Sequence, residues 1–129
     1  MELKVKASDE SLPSVNNFIH SLLPSACDEM LLNQIDLAVE EIFVNIAHYS
    51  GSEQAIINCS FDNNKLEITF KDSGVPFNPL AKADPDLSLN AEEREIGGLG
   101  IFLTKKFMDT VSYEYKDEMN CLRIIKTIN

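Results

Sequence analysis

Lys71-Asp72-Ser73-Gly74-Val75-Pro76-Phe77-Asn78-Pro79 reads as a strand end running into a turn, and Ile96-Gly97-Gly98-Leu99-Gly100-Ile101-Phe102-Leu103 reads as a glycine-rich turn entering an apolar helix. Before Asp72, the residues Leu66, Ile68 and Phe70 alternate with polar ones, so counting by twos puts the Asp72 side chain on the inward row of a strand. A carboxylate on that row needs a buried donor. Either Asp72 caps its own turn through Ser73 and Gly74, or the amino group of a base supplies the donor, with Gly74 letting the base approach the backbone. The glycines at 98 and 100 have two readings as well. They allow phosphate oxygens to reach backbone N–H groups at a helix N-terminus, or they serve packing and capping. Residues 80–96 lie between these walls without core periodicity and read as a polar lid or a solvated loop.

Upstream, residues 28–49 form the second informative stretch. On a helical wheel Leu31, Leu32, Ile35, Ala38, Val39, Ile42, Phe43 and Ile46 fill one apolar arc, with Asn33, Asp36 and Glu40 opposite. Glu41 and Asn45 stack one turn apart at the edge of that arc, so they face protein or ligand. A carboxylate there costs free energy unless something uses it. A paired core-edge carboxylate is the plainer explanation. His48 continues the face at the helix end, where a cation suits the dipole. His20, in an earlier helix opened by Ser11 and Pro13, reads as a surface histidine.

The remaining chain supplies strands. Residues 2–6 alternate as a short edge strand, and residues 54–61 and 65–71 form a hairpin around Asp62-Asn63-Asn64. Residues 111–115 and 119–128 form a second pair around Lys116-Asp117-Glu118, with Thr127 a candidate for lining the base pocket. The predicted fold class is α+β: a two-layer sandwich of a mixed, mainly antiparallel sheet with helices on one face, in a single domain over residues 1–129.

Composition narrows the partners. A chain of 129 residues supports one core, and a formal net charge of −10 argues against direct nucleic-acid binding, which needs clustered Lys and Arg. Cys27, Cys59 and Cys121 are far apart and outside any C-x-x-C arrangement, as expected for reduced thiols of a cytoplasmic protein. The N-terminal residues lack the apolar run of a secretory signal, and no stretch approaches the roughly 18 apolar residues of a membrane span.

Together Glu41-Ile42-Phe43-Val44-Asn45, Asp72-Ser73-Gly74 and Gly98-Leu99-Gly100, in that order and at similar separations, resemble the N box and the two glycine boxes of the GHKL (Bergerat-fold) ATPase and kinase superfamily. The wording of Ala38-Val39-Glu40-Glu41 and Gly97-Gly98-Leu99-Gly100-Ile101-Phe102-Leu103 is similar to that of the anti-sigma-factor serine/threonine kinases. The resemblance implies ATP and Mg²⁺ as cofactors. It implies Asp72 on the adenine amino group, Gly74 shaping the base pocket, Asn45 on the metal, Gly98, Leu99 and Gly100 at the phosphates, and Glu41 as general base. Lys82 and Arg94 are the lid's candidate phosphate contacts. Pro76 departs from the family's usual Asp-x-Gly-x-Gly, which stiffens the turn. The implied function is phosphorylation of a small antagonist protein, with a sigma factor as the other partner and a homodimer left open. A catalytically silent ATP-binding interaction module is the alternative.

Overall fold

The computed structural model describes residues 1–24, 27–81 and 98–128. Strands β1 (Glu2–Lys6), β2 (Gln54–Asp62), β3 (Lys65–Asp72), β4 (Thr110–Lys116) and β5 (Met119–Thr127) form one sheet in the order β1-β2-β3-β5-β4. The expected mainly antiparallel sheet is antiparallel at every described pairing. Two tight hairpins fix its register. Asn63 and Asn64 (φ 52° and 62°) join β2 to β3, and Asp117 and Glu118 (φ 55° and 63°) join β4 to β5. Positive φ at both central residues gives a turn whose twist matches the flanking strands, and Asn accepts that conformation at little cost.

Among the described residues three α-helices cover one face of the sheet: α1 (Leu12–His20), α2 (Glu29–Asn45) and α3 (Gly98–Phe107). Helix α2 begins at Asp28, whose Oδ1 accepts from the Met30 amide at 2.9 Å and so satisfies one of the donors a helix start leaves open. Its apolar arc of Ile35, Ala38, Val39, Ile42 and Phe43 is buried against the inward rows Ala55, Ile57 and Cys59 of β2, Leu66, Ile68 and Phe70 of β3, and Leu122 and Ile124 of β5. Alternate residues such as Asn58, Thr69, Lys71 and Arg123 occupy the opposite, polar face, as a sheet with one solvated side requires.

The helix expected over residues 28–49 is regular only to Asn45. Residues Ile46–Ser50 continue as one turn of π-helix, and Gly51 (φ 75°) then reverses the chain. A wider turn adds one residue before the break, so Ile46 and Ser50 are both buried while His48 turns outward to Asp9 at 2.8 Å. His20 likewise has a partner: its Nε2 lies 2.6 Å from Asp36 on α2. At the far end of α3 the Lys126 ammonium donates to the Phe107 carbonyl at 2.6 Å, satisfying an orphan acceptor of the last turn.

Phe43 is fully buried at the centre of the helix–sheet contact. Phe43→Ala is expected to destabilise the protein by about 3–5 kcal/mol in urea unfolding, through lost transfer energy plus the cavity left behind.

Candidate functional site

Asp72 is the last residue of β3 and keeps the inward parity of Leu66, Ile68 and Phe70, with Ala55 and Asn120 as its cross-strand neighbours. Only 3% of it is exposed. Its Oδ1 accepts two hydrogen bonds, from the Gly74 amide at 2.9 Å and from Asn120 Nδ2 at 3.0 Å. No described residue donates to Oδ2. The turn cap and the ligand acceptor, alternatives in the sequence, therefore fall to different oxygens of one carboxylate: Oδ1 closes the turn, and Oδ2 remains for a further donor.

Gly74 is required by crowding. A Cβ there would stand 2.0 Å from the Ser50 carbonyl oxygen, which also accepts the Val75 amide at 3.0 Å. The turn after β3 is thus bound backbone to backbone onto the π-turn that ends the α2 segment. Between them opens a cleft whose apolar walls are Ile42, Ile46, Phe70, Phe77, Pro79 and Leu122. Asn45, Ser50, Asp72, Tyr113 and Asn120 supply its polar atoms. An apolar slot with a few convergent polar groups is the usual form of a small-molecule site.

Glu41 and Asn45 lie one turn apart on α2, with Asn45 Nδ2 3.5 Å from Glu41 Oε1. Gly100, in the first turn of α3, is packed against the Glu41 carboxylate: a Cβ on it would lie 2.1 Å from Glu41 Cδ and Oε2. The N-terminal turn of α3, which includes Gly98, Leu99 and Gly100, is therefore held beside the Glu41–Asn45 face of α2. The first-turn amides of a helix have no intrahelical partners and suit an anion. Burial is the main force that pushes the Glu41 carboxyl above its ordinary range. The Asn45 hydrogen bond offsets part of this, and the neighbouring Glu40 charge adds to it.

The structure brings Asp72, Gly74 and Asn45 to one cleft, with Glu41 and Gly100 at its α2–α3 margin. Thr127 is not brought there. It pairs with Lys65 at the opposite end of the sheet from Asp72, its amide donating to Asp109 Oδ2 at 2.6 Å. Asp72 faces Asn120, and the seven residues from there to Thr127 span roughly 23 Å of strand. Thr127 also has the outward parity of β5. The assignment of Thr127 to the base pocket is thus corrected: the cross-strand place beside Asp72 belongs to Asn120, and Tyr113 of β4 stands next to it. The missed signal is a polar residue in the inward row of Leu122 and Ile124. Lys82, Arg94 and Gly97 lie outside the described residues.

Among the described residues no group of three or more His, Cys, Asp or Glu side chains is placed to hold a metal. The donor set fits magnesium held partly by a nucleotide: the Asn45 amide oxygen, with Glu41 nearby, would be joined by phosphate oxygens and water. Among the described residues no helix is long and apolar enough to cross a membrane.

Comparison with known proteins agrees with this fold. The family model of the histidine kinase-like ATPase domain matches residues 5–126. An anti-sigma F factor of Clostridium perfringens is 29% identical over 136 aligned residues, covering 100% of this chain and 95% of that protein. An anti-sigma F factor of Oceanobacillus iheyensis is 30% identical, covering 76% of this chain and 68% of the relative. The serine-protein kinase RsbW of Listeria monocytogenes is 31% identical, covering 76% and 67% respectively. The crystal structure of the RsbU and RsbW domains of Rv1364c from Mycobacterium tuberculosis superposes with a TM-score of 0.62 over 99% of this chain at 9% identity. That likeness shows the fold, and this chain spans 32% of that longer one.

The two glycines give opposite expectations. Gly74→Ala forces backbone apart and should lower the urea midpoint clearly, by more than about 1 kcal/mol. Gly100→Ala meets a movable side chain and gains about 1 kcal/mol of helix propensity, so stability should hold while Glu41 is displaced. Urea melts, together with the titration of Glu41 followed by NMR, check both.

Proposed function

The chain belongs to the histidine kinase-like ATPase domain family, and from that premise we propose that it binds Mg-ATP and phosphorylates a serine or threonine of a small antagonist protein. Its similarity to anti-sigma F factors and to the RsbW kinase supports this reading, with a sigma factor as the competing partner and the cytoplasm as the place of action. The observation that carries it is the meeting at one cleft of a buried carboxylate, one oxygen of which accepts from no described residue, and an amide on α2, with the N-terminal turn of α3 packed beside that amide's neighbour Glu41.

Each part has a chemical task. Asp72 Oδ2 accepts from the exocyclic amine of adenine, while Ile42, Ile46, Phe70 and Leu122 enclose the ring. Asn45, with Nδ2 directed at Glu41, keeps its amide oxygen for the cation. Magnesium, when bound, neutralises phosphate charge. The amides at 98–100 meet the phosphate oxygens. Transfer of this kind depends mostly on positioning and charge stabilisation.

Glu41 takes the proton of the attacking hydroxyl as its oxygen bonds to the γ-phosphorus and the bond to the bridging oxygen breaks, releasing ADP. A carboxyl held above its ordinary range by burial is a better proton acceptor for that step than one within it. The modified antagonist gains about −1.5 to −2 charges. Against a chain of formal net charge −10, that addition weakens the complex and frees the kinase for its other partner.

Labelled ATP and candidate antagonists test the reading. Glu41→Gln should keep nucleotide affinity by calorimetry and lose about 10²–10⁴ in transfer rate. Nucleotide binding without transfer in the unsubstituted chain identifies an interaction module instead, and a rate that survives the substitution removes Glu41 as the base. Asp72→Asn should lose nucleotide binding.

The acid limb of kcat/KM is expected above the ordinary glutamate value of 4.5, with activity falling as pH drops through it. The sign for stability is opposite. A raised folded-state value means that Glu41 contributes most below the unfolded value, and that contribution is lost as pH rises through the folded one. Glu41→Gln should therefore be the more stable protein at neutral pH, with the difference vanishing in acid, as urea melts across pH will show.

A further inference from the structure

Asn120 is 5% exposed, and every hydrogen-bonding position of its amide is filled. Nδ2 donates to Asp72 Oδ1 at 3.0 Å and to the Val75 carbonyl at 2.8 Å. Oδ1 accepts from the Phe77 amide at 3.0 Å and from the Tyr113 hydroxyl. A primary amide has two N–H donors and two acceptor lone pairs, so nothing is left over for a ligand. Asn120 therefore acts on recognition through the groups it holds, Asp72 and the turn of Val75 and Phe77.

A carboxylate can turn about its Cβ–Cγ bond and exchange its two oxygens. Here the Gly74 amide and Asn120 Nδ2 both hold Oδ1, so the plane is fixed and Oδ2 is the oxygen offered to the cleft. The Gly74 bond comes from the residue's own turn and moves with it. The Asn120 bond comes from the neighbouring strand, in register with Asp72, and refers the carboxylate to the rigid sheet.

We propose that Asn120 is a positioning residue for purine selection: by anchoring Asp72 Oδ1 it aims Oδ2 at a base that carries a 6-amino donor. This rests on the reading of Asp72 as the base-recognising group, and it adds a determinant from β5. A purine without the amino group gains nothing from that aim, and one with a 6-oxo group places acceptor against acceptor.

Asn120 also holds the turn that carries Phe77, so a loss of affinity alone would not separate aiming from scaffolding. The isosteric pair Asn120→Thr and Asn120→Val does. Both lose the Val75 and Phe77 bonds, but only Thr keeps a hydroxyl that can donate to Asp72. Calorimetry with ATP and with purine riboside triphosphate, which lacks the 6-amino group, reads the difference.

Wild type should prefer ATP by about tenfold or more, the worth of a hydrogen bond to a charged acceptor. Asn120→Thr should retain most of that preference, and Asn120→Val should bind the two nucleotides nearly alike through loss of ATP affinity. Equal preference in the Thr and Val variants overturns the proposal, as does a parallel loss of both nucleotides in the Val variant relative to Thr. A wild type that binds ATP without discriminating refutes the role given to Asp72, a separate failure visible before any Asn120 variant is made. If Asn120→Val lacks a cooperative urea transition, Asn120→Ser against Asn120→Ala repeats the comparison with smaller side chains.

Discussion

A carboxylate with 3% exposure at the end of β3 constrains this molecule more than any other single group. It cannot be left without donors in an apolar wall, and the donors it gathers determine the surroundings. The Gly74 amide closes the turn, and closure brings that turn onto the Ser50 carbonyl. The Asn120 amide joins β5 to the same oxygen and extends the network to Val75, Phe77 and Tyr113. Among the described residues the cleft is therefore built around one carboxylate oxygen without a donor, Asp72 Oδ2, while Asp72 Oδ1, Asn120 and Tyr113 are committed to each other. Little reorganisation is needed for a flat heterocycle carrying an amine.

The second half of the site is set by contact between helices. Gly100 has no side chain because the Glu41 carboxylate lies where one would be. That absence brings α3 close to α2, and the same closeness desolvates Glu41 and raises its proton affinity. Packing and acid–base character have one cause here. The Asn45 hydrogen bond works the other way and offsets part of that rise.

Much of this could be read from the chain because it depends on short-range periodicity. The inward position of Asp72 follows from Leu66, Ile68 and Phe70, and the shared face of Glu41 and Asn45 follows from one helical turn. What could not be read depends on pairings between distant segments. Nothing local states that β5 runs beside β3 with Asn120 opposite Asp72, so the polar residue at the far end of the same strand, Thr127, was as plausible. The partners Asp9 of His48 and Asp36 of His20 are of the same kind. The π-turn escaped because an apolar pattern does not distinguish the hydrogen-bond ring that closes each turn.

That wide turn over Ile46–Ser50 carries a topological obligation. Between Asn45, committed to the Glu41 face, and Ser50, committed to the backbone of Val75, the count of residues is a spacer of set length. Wound as regular α-helix, the same residues would carry Ser50 about one residue further round, roughly 100° of arc. The anchoring carbonyl would then point elsewhere, with every side chain of the cleft still encoded. Substitutions that favour regular winding over the wide turn therefore disturb the cleft without removing any residue that lines it.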